Sequence, residues 1–520
     1  MSRIARLFEA RPASSAAGGR LWVGATSIVA SNKFWLVFIV VLTVVLYGPS
    51  LTAWFVTDDF IFLRSARYID PPGYVKEAFD FTGYDRHQEV IDFLRDDDIA
   101  LPFLTYKPLY FISLEGLHVL FGDNPAGYHA ASLVVHLANT LLVWLIASRL
   151  LRAKLGAHVA ALVFALHPTY VAAVAWISDV GTPLATFMAL VSLLFFMKSM
   201  DSDPPRWRWY VGSAGCYGAS MFFHLETISW VAAFVAFFLL LDRGRRDPWF
   251  APKSWLILTP FVALAAGSWA LHGWILAHTP VHRGDYHVGP HMLTHFKNFA
   301  SAALFPATSD HGVAHLVVFV ILLLMMTTLP AMAYLRRRNA ALPRAELFVI
   351  LWFLASLAPL LTGDVDYLFR IGVLNRKLYS AGPALAVFLV MYGTALLALP
   401  PARLQPHAKA LLAVLAVPAL VGGLIVARDN IGEVSARGME SERFVHALRE
   451  TYPSLPEGST LYVVGAPQTL TAFGDTYLLS SIQAFYGRVD AYGVTEEEAL
   501  VAEQSLDEGD HVFWYSSGPE

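Results

Sequence analysis

Long apolar runs, separated by short charged segments, recur along the chain and limit the folds open to it. Each run is close to the ~20 residues that an α-helix needs to cross the hydrocarbon core of a bilayer. The runs cover residues 34–47, 127–148, 157–176, 181–198, 209–224, 226–241, 254–277, 313–334, 345–362, 378–398 and 408–427. This pattern predicts an all-α polytopic membrane protein with about 11 transmembrane helices.

The composition agrees with this class. Hydrophobic residues make up 56% of the 520 residues and charged residues 15%, whereas a soluble domain has about 25% charged residues. The single cysteine, Cys216, excludes an internal disulfide framework and a cysteine-based zinc site. The first run and its flanks are too long for a signal-peptide core, so we interpret them as an uncleaved anchor. We expect the protein to be embedded in the lipid bilayer and to bind no nucleic acid.

Lysine and arginine are concentrated in segments that alternate between the runs, and this predicts the orientation. The segment 56–126, by contrast, holds 13 acidic and 6 basic residues. Because short cytoplasmic loops are rich in Lys and Arg, we expect the N-terminal segment 1–33 inside and 56–126 outside as a long outer loop. The basic loops contain Arg149, Arg152 and Lys154; Arg243, Arg245 and Arg246; Arg336, Arg337 and Arg338; and Arg403 and Lys409.

An odd number of spans also places the C-terminus outside. The membrane domain is then 34–427, and residues 428–520 form a small extracytoplasmic α/β domain. Strand-like runs at 460–465 and 511–516 flank a helical stretch at 475–488. In the outer loop, residues 106–122 have helical spacing and predict a helix that lies along the membrane surface.

Several motifs follow one another in a characteristic order. They are "FVTDDF" (55–60), "YKPLYFISLEGLHVLFGDNPAGYHAASLVVHLANTLLVWLIASRLL" (106–151), "LVFALHPTYVAAVAWIS" (162–178), "HLETISW" (224–230), "YHVGPHMLTHFKNFASAALFP" (286–306) and "NRKLYSAGPAL" (375–385). Together they resemble the GT-C superfamily of polytopic membrane glycosyltransferases. The chain is most similar to the bacterial relatives of protein O-mannosyltransferases and of transmembrane-and-tetratricopeptide O-mannosyltransferases. The resemblance covers roughly residues 34 to 400.

The resemblance implies a reaction. Such enzymes transfer a sugar, usually with inversion, from a polyprenyl-phosphate donor to a hydroxyl of a protein or glycan acceptor outside the cytoplasm, here at a bacterial inner membrane. It also implies an acidic general base just past the first span. Asp58 and Asp59 occupy that place, and we slightly prefer Asp59. From the residues alone, the pair could instead begin a helix, with Thr57 or Asp58 as the N-cap and Asp59 near the positive end of the dipole.

A departing lipid phosphate needs fixed cations. The candidates on the outer side are Lys107, Arg376 and Lys377, although such residues are also common as interfacial anchors at span ends. After "AVAWIS" the chain lacks an arginine that relatives often carry, and it gains Lys377.

Two further polar residues interrupt apolar runs. Glu226 lies between two runs: it is functional if it sits at mid-membrane, and otherwise a solvated turn residue or part of the donor pocket, which the resemblance favours. His167 precedes Pro168, a helix terminator, and is a candidate to face the site.

Histidine is concentrated in one region, since eight of the 18 fall between His272 and His315. His291 and His295 would share a helix face and could bind a divalent metal with a nearby carboxylate. Histidines at a wet membrane interface are the simpler interpretation. We therefore predict no metal ligand and leave a divalent metal as an open possibility.

Two functions from other classes remain as alternatives. A non-catalytic subunit could keep the fold and act as a scaffold in a larger assembly. A lipid-linked-sugar transporter would be expected to show inverted repeats and several intramembrane charges, and the sequence has neither beyond Glu226.

Overall fold

The protein is described here by a computed structural model of its 520 residues. The structure describes residues 32–80, 106–151, 153–201, 205–242, 255–278, 289–304, 313–336, 343–361, 374–471, 475–507 and 509–516. Residues 279–288 and 362–373, which flank predicted spans, lie outside the described residues, as do residues 1–31 and 81–105.

Helices dominate the described part of the chain, as the apolar runs predicted. In chain order they are α1 (Asn32–Tyr47), α2 (Asp59–Tyr68), α3 (Pro71–Phe79), α4 (Pro108–Phe121), α5 (Pro125–Leu150), α6 (Lys154–Leu166), α7 (Val171–Ala175), α8 (Gly181–Ser199), α9 (Trp207–Phe223), α10 (Val231–Phe237), α11 (Thr259–His278), α12 (His291–Leu304), α13 (Val313–Arg336), α14 (Arg344–Leu357), α15 (Gly382–Leu397), α16 (Gln405–Thr451), α17 (Gln468–Thr471), α18 (Thr476–Tyr486) and α19 (Glu496–Ala502).

Seven of the described helices are long and apolar enough to cross a membrane, which confirms an integral membrane protein. An eighth span results if α6 and the following segment Pro168–Ala175 are counted as one span bent by 43°. The predicted runs 209–224, 226–241 and 254–277 are also helical, in α9, in the segment Leu225–Leu241 and in α11, but they do not pass the same test. The count of about 11 spans remains a prediction.

The bend after α6 follows from the local sequence. Pro168 has no N–H to continue the helix, and it disfavours helical backbone in the residue before it. His167 is accordingly extended, with φ −70° and ψ 126°, and α6 ends at Leu166. The Thr169 N–H donates to Nδ1 of His167 at 3.3 Å, so the imidazole caps the short 3₁₀ helix that follows.

Helix α16 differs from the prediction, which ended the last span at residue 427 and began a separate domain at 428. The helix instead continues without a break for 47 residues, from Gln405 to Thr451. Its second half keeps one face buried, at Ile431, Phe444 and Leu448 among others. Because this face packs against the C-terminal domain and the segment that follows α1, helical structure persists beyond the apolar run.

The C-terminal domain contains a three-stranded parallel sheet, which confirms the predicted α/β character. Its strands are β1 (Thr460–Val464), β2 (Asp490–Val494) and β3 (His511–Trp514), in the order β2-β1-β3. Tyr462 is in register with Tyr492 on one side and with Val512 on the other. The sequence predicted β1, β3 and helix α18, but it did not predict β2.

The same domain shares one hydrophobic core with the segment that follows α1. Phe55 and Phe60 of that segment are buried together with Phe444 of α16 and Ile482 of α18. At the closest approach, a Cβ added at Gly438 would lie 2.6 Å from the backbone nitrogen of Trp54. The C-terminal domain therefore packs directly against the segment that carries Asp58 and Asp59.

The orientation can be tested with fused reporters. We expect a reporter after residue 520 to read as extracytoplasmic and one near Arg337 to read as cytoplasmic, because the Lys/Arg bias and an odd number of spans require both. The measurement is the activity of paired reporters that work on opposite sides of the membrane. A cytoplasmic signal after residue 520 would require an even number of spans.

Candidate active site

Charged side chains from five separate segments meet where helices end. Each lies in a turn, in a 3₁₀ segment or at the first residue of a helix, so the ends of several helices bring these side chains together. The residues are Asp58 and Asp59 at the start of α2, Lys107 before α4, Asp179 before α8, Glu226 in the segment Leu225–Trp230, and Arg376 and Lys377 in the segment Leu374–Ala381. We call these seven residues the charged cluster.

Asp59 is buried and fully engaged in hydrogen bonds. The backbone N–H of Ser178 donates to its Oδ1 at 2.8 Å, and the N–H of Val56 donates to Oδ2 at 2.9 Å. The hydroxyl of Ser178 also donates to Oδ1. Burial raises the pKa of Asp59 to about 7, although these hydrogen bonds oppose the shift. Its carboxylate therefore braces the turn before α8, and our preference for Asp59 as the base loses support.

Asp58 is more open. It is half-buried, its Oδ1 accepts from the Thr57 hydroxyl at 2.9 Å, and it lies within electrostatic range of Arg376 and Asp179. Burial raises its pKa, and the Arg376 charge opposes the shift. Asp58 is the N-cap residue of α2 by position, but its side chain makes no capping hydrogen bond. The alternative that the pair serves only as a side-chain cap is therefore not supported.

Thr57 supplies the local strain. Its φ of 44° lies in the left-handed region, where a β-branched residue is a genuine outlier. Such backbone conformations cost roughly 1–3 kcal/mol and are concentrated at functional sites. The strained turn orients the two carboxylates differently, Asp58 toward Arg376 and Asp59 toward Ser178.

Arg376 lies between an aromatic ring and a carboxylate. Its guanidinium carbon is 4.5 Å from the centre of the Trp176 ring, and its Nε is 3.9 Å from Oδ1 of Asp179. An arginine over a tryptophan face is stabilised by the ring quadrupole. The guanidinium is thus held as a fixed positive charge beside Asp58.

A second cation, Lys377, forms an ion pair with Glu226. The Nζ of Lys377 is 3.3 Å from Oε1 of Glu226 and donates to Nε2 of His224 at 2.8 Å. His224 Nδ1 lies 3.6 Å from the same Glu226 oxygen. "HLE" and "RKL", two motifs about 150 residues apart, therefore form one polar contact, and Glu226 belongs to the charged cluster.

Lys107 completes the cluster. Its Nζ lies 5.7 Å from the centre of the Tyr110 ring, within electrostatic range of Glu226, Lys377 and Arg376. Burial lowers the pKa of Lys107 to about 7, and the neighbouring cations Lys377 and Arg376 act in the same direction. An anion placed here would favour the protonated amine.

Several buried polar atoms of the cluster have no hydrogen-bond partner among the described residues. They are Oδ2 of Asp179, Oε2 of Glu226, Nδ1 of His224 and Nε of Arg376. Buried polar groups in native proteins are nearly always hydrogen-bonded. Both acceptors and donors are therefore available to a polar ligand that would bind between them.

His167, unlike the other predicted site residues, is not part of this cluster in the described contacts. Its ring stacks on Tyr170, with centroids 4.9 Å apart, and its Nδ1 serves as the cap described above. The His291 and His295 rings do lie together, 4.9 Å apart, but Nδ1 of His295 bonds to the Leu361 carbonyl. Within the described ranges, no group of three or more His, Cys, Asp or Glu could hold a metal ion.

Sequence reasoning missed Asp179, Trp176, Ser178 and His224 as parts of the site. Asp179 did carry a signal, since it is an acidic residue directly before a long apolar run. The partners of Ser178 and His224 are 119 and 153 residues away in the sequence, so no local pattern identifies them.

Comparison with known proteins identifies relatives of part of the chain. A family model described as dolichyl-phosphate-mannose-protein mannosyltransferase matches residues 106–270. Protein O-mannosyl-transferase TMTC2 of Homo sapiens is 30% identical over 131 residues, which cover 25% of this chain and 16% of the relative. Protein O-mannosyl-transferase Tmtc3 of Drosophila melanogaster is 26% identical over 222 residues, 38% of this chain and 23% of the relative. The matches thus span less than a quarter of these relatives.

The whole fold is similar to that of a solved structure. The crystal structure of ArnT from Cupriavidus metallidurans bound to undecaprenyl phosphate aligns with a TM-score of 0.50 at 12% identity, covering 92% of this chain and 96% of ArnT. The chain therefore has a polytopic membrane fold similar to that of ArnT. Together, these matches confirm the resemblance to GT-C membrane glycosyltransferases that the ordered motifs predicted.

Proposed function

We propose that this protein is an integral membrane glycosyltransferase that transfers a sugar from a polyprenyl-phosphate donor to an acceptor hydroxyl of a protein or glycan. The observation that carries the proposal is the charged cluster. In it, Arg376 lies within electrostatic range of the half-buried carboxylate of Asp58, and Lys107 lies within range of Arg376 and Lys377, all at the ends of apolar helices. A lipid-linked sugar phosphate has the matching parts: an anion, a sugar and an apolar tail.

The cations suit the leaving group. When the bond between the sugar C1 and the phosphate oxygen breaks, the electron pair stays on the phosphate, whose negative charge grows. Positive groups that are already fixed in place stabilise that charge without reorganisation. Arg376 is fixed by Trp176, and Lys377 by Glu226 and His224. Burial lowers the pKa of Lys107, and the negative phosphate would favour its charged form.

Asp58 is suited to act as the general base. As the acceptor oxygen forms its bond to C1, its proton must pass to a group within hydrogen-bond reach. Asp58 is the more open carboxylate at the start of α2, while the oxygens of Asp59 are engaged by Ser178 and Val56. Attack from the face opposite the phosphate inverts the configuration at C1. Asp59 then acts as a brace that holds the α2 turn against Ser178.

The buried acceptors favour a sugar between the charges. Asp179 and Glu226 each offer an oxygen with no hydrogen-bond partner among the described residues, and sugar hydroxyls donate to such atoms. Two features support the donor class: ArnT, with which the chain shares its fold, was crystallised with undecaprenyl phosphate, and the partial relatives are named as O-mannosyl-transferases. We further propose a bacterial inner membrane, with the site on the extracytoplasmic side.

The proposal is tested with the purified full-length protein in lipid nanodiscs. We expect saturable binding of undecaprenyl phosphate, measured by native mass spectrometry, and release of that lipid from undecaprenyl-phosphate mannose in the presence of serine- and threonine-containing peptides or glycans. Binding without any transfer across a panel of donor sugars would favour the non-catalytic scaffold. Folded protein that binds no polyprenyl phosphate would overturn the proposed function.

A further inference from the structure

A chain of buried hydrogen bonds joins helix α5 to the segment Leu374–Ala381. It centres on Tyr379, a fully buried residue of that segment. Nδ2 of Asn139 donates to the Tyr379 hydroxyl at 3.0 Å, and the same hydroxyl lies 2.8 Å from Nδ1 of His136. Asn139 and His136 are one turn apart on α5, within the long motif at 106–151, and both are fully buried.

The direction of these hydrogen bonds follows from what each atom can donate. Nε2 of His136 lies 3.1 Å from the carbonyl oxygen of Ala165, which can only accept, so Nε2 carries a hydrogen. The Tyr379 oxygen accepts from the Asn139 amide, and its own hydrogen then goes to Nδ1 of His136. Displacing any member would leave a buried donor or acceptor unpaired, which is costly away from water. The chain of bonds therefore favours a single arrangement.

Asn139 connects this chain to a third element. Its second amide hydrogen goes to the carbonyl oxygen of Pro183 at 2.9 Å. Pro183 lies in the first turn of α8, four residues after Asp179. The Asn139 side chain thus holds the start of the helix that follows Asp179. Through Tyr379, it also holds the segment that carries Arg376.

The two elements that Asn139 connects meet again in the charged cluster. There, Nε of Arg376 is 3.9 Å from Oδ1 of Asp179. Arg376 precedes Tyr379 by three residues in a 3₁₀ segment, where residues three apart lie above one another. A shift of Tyr379 would therefore move Arg376 relative to Asp179. Small shifts matter, because a displacement of about 1 Å at a reacting group can cost on the order of 10²-fold in rate.

We propose that His136, Asn139 and Tyr379 are positioning residues that fix Arg376 relative to Asp179, and hence relative to the donor phosphate. This inference rests on the proposed function. The hydrogen bonds described for the three side chains go to one another and to backbone carbonyl oxygens, not to the charged cluster. Their effect on the donor is therefore exerted through the position of Arg376.

The test uses two variants of the full-length protein in nanodiscs. Tyr379→Phe keeps the ring and removes the hydroxyl, so Nδ1 of His136 loses its donor. Asn139→Leu keeps a similar volume and removes the connection between Tyr379 and α8, while the bond between Tyr379 and His136 stays. The measurements are the Kd for undecaprenyl phosphate, the donor KM and kcat, and the unfolding temperature.

Tyr210→Phe is the matched control. The Tyr210 hydroxyl also donates to a backbone carbonyl oxygen, that of Ile257, at 2.7 Å. Tyr210 lies in the first turn of α9, at the opposite end of that helix from His224. Its removal tests the general effect of losing a tyrosine hydrogen bond between membrane helices, and it should lower the unfolding temperature without changing the Kd or kcat.

We expect Tyr379→Phe and Asn139→Leu each to raise the Kd and to lower kcat on the order of ten-fold, because the arginine is still present but displaced. The decisive measurement is a double-mutant cycle. In the Arg376→Ala background, adding Tyr379→Phe should change the Kd by less than about two-fold, because the residue that Tyr379 positions is gone.

A full ten-fold further loss in that background would overturn this inference, as would a wild-type Kd and kcat in folded Tyr379→Phe. Either result would leave the proposed function standing. If Tyr379→Phe does not fold, Asn139→Leu decides the matter through the same cycle. Failure of the folded wild-type protein to bind undecaprenyl phosphate would instead count against the proposed function.

Discussion

Replacing Asp58 with asparagine is expected to abolish sugar transfer while the protein stays folded and inserted in the membrane. Asparagine has nearly the shape of aspartate and can still accept the Thr57 hydroxyl, which bonds to Oδ1 at 2.9 Å, but it cannot take up the acceptor proton. Loss of a general base typically costs about 10²–10⁴-fold in rate. The measurement is single-turnover transfer from undecaprenyl-phosphate mannose, with binding of undecaprenyl phosphate measured on the same sample.

Two other aspartates make the result specific. Asp70→Asn is the matched control: Asp70 caps α3 by accepting from the Gly73 N–H at 3.4 Å, and asparagine is an equally good cap, so transfer should be normal. Asp59→Asn should instead lower the unfolding temperature, because the amide cannot accept on both sides as the carboxylate does from Ser178 and Val56. Full activity of Asp58→Asn would remove Asp58 from the mechanism.

Replacing Arg376 with alanine is expected to reduce transfer on the order of 10²–10³-fold, the typical effect of removing one fixed donor from a developing anion. The variant also leaves Asp179 without the cation that lies 3.9 Å from its Oδ1, so donor binding should weaken as well. Arg376→Lys keeps the charge but loses the flat contact with Trp176, and an intermediate loss is expected. The measurements are kcat, donor KM and the Kd for undecaprenyl phosphate.

The control for Arg376 is Lys198→Ala. Lys198 is also a cation on an aromatic ring, with its Nζ 4.6 Å from the centre of the Trp209 ring, but it lies at the opposite end of α8 from Asp179. Its removal tests the general effect of losing a cation–aromatic contact, and activity should stay at the wild-type level. If Arg376→Ala uses the donor as well as Lys198→Ala does, Arg376 is only an interfacial anchor.

The sequence predicted the helices and most of the charged cluster for a simple reason. A charge beside a long apolar run is costly, so Asp58, Glu226 and Arg376 stand out, and the order of motifs indicates that their segments belong together. The roles of the two aspartates could not be separated in this way. The brace on Asp59 comes from Ser178, which is 119 residues away, and only the folded chain brings them together.

The boundary at residue 428 and the position of His167 also depend on contacts that form only in the folded chain. A loss of apolar character at the end of the last run was interpreted as the end of a helix, but burial of Phe444 and Leu448 against another part of the chain maintains helix α16. Strand β2 is short, with a burial pattern that does not alternate cleanly, so periodicity does not reveal it. For His167, a candidate to face the site, the described contact is local: its Nδ1 caps the 3₁₀ helix that follows the bend at Pro168.

The unbroken course of helix α16 also constrains how such a chain can diversify. An α-helix turns about 100° and rises about 1.5 Å with each residue, so one residue added between Ala427 and Gly438 would rotate everything beyond it around the helix axis. Gly438 could then no longer face Trp54, against which a single carbon would already collide. Insertions and deletions in this stretch are therefore tolerable only when they add or remove whole helical turns, so that the same face still points toward Trp54. A foreign domain grafted here must likewise match the rotation of the helix as well as its length.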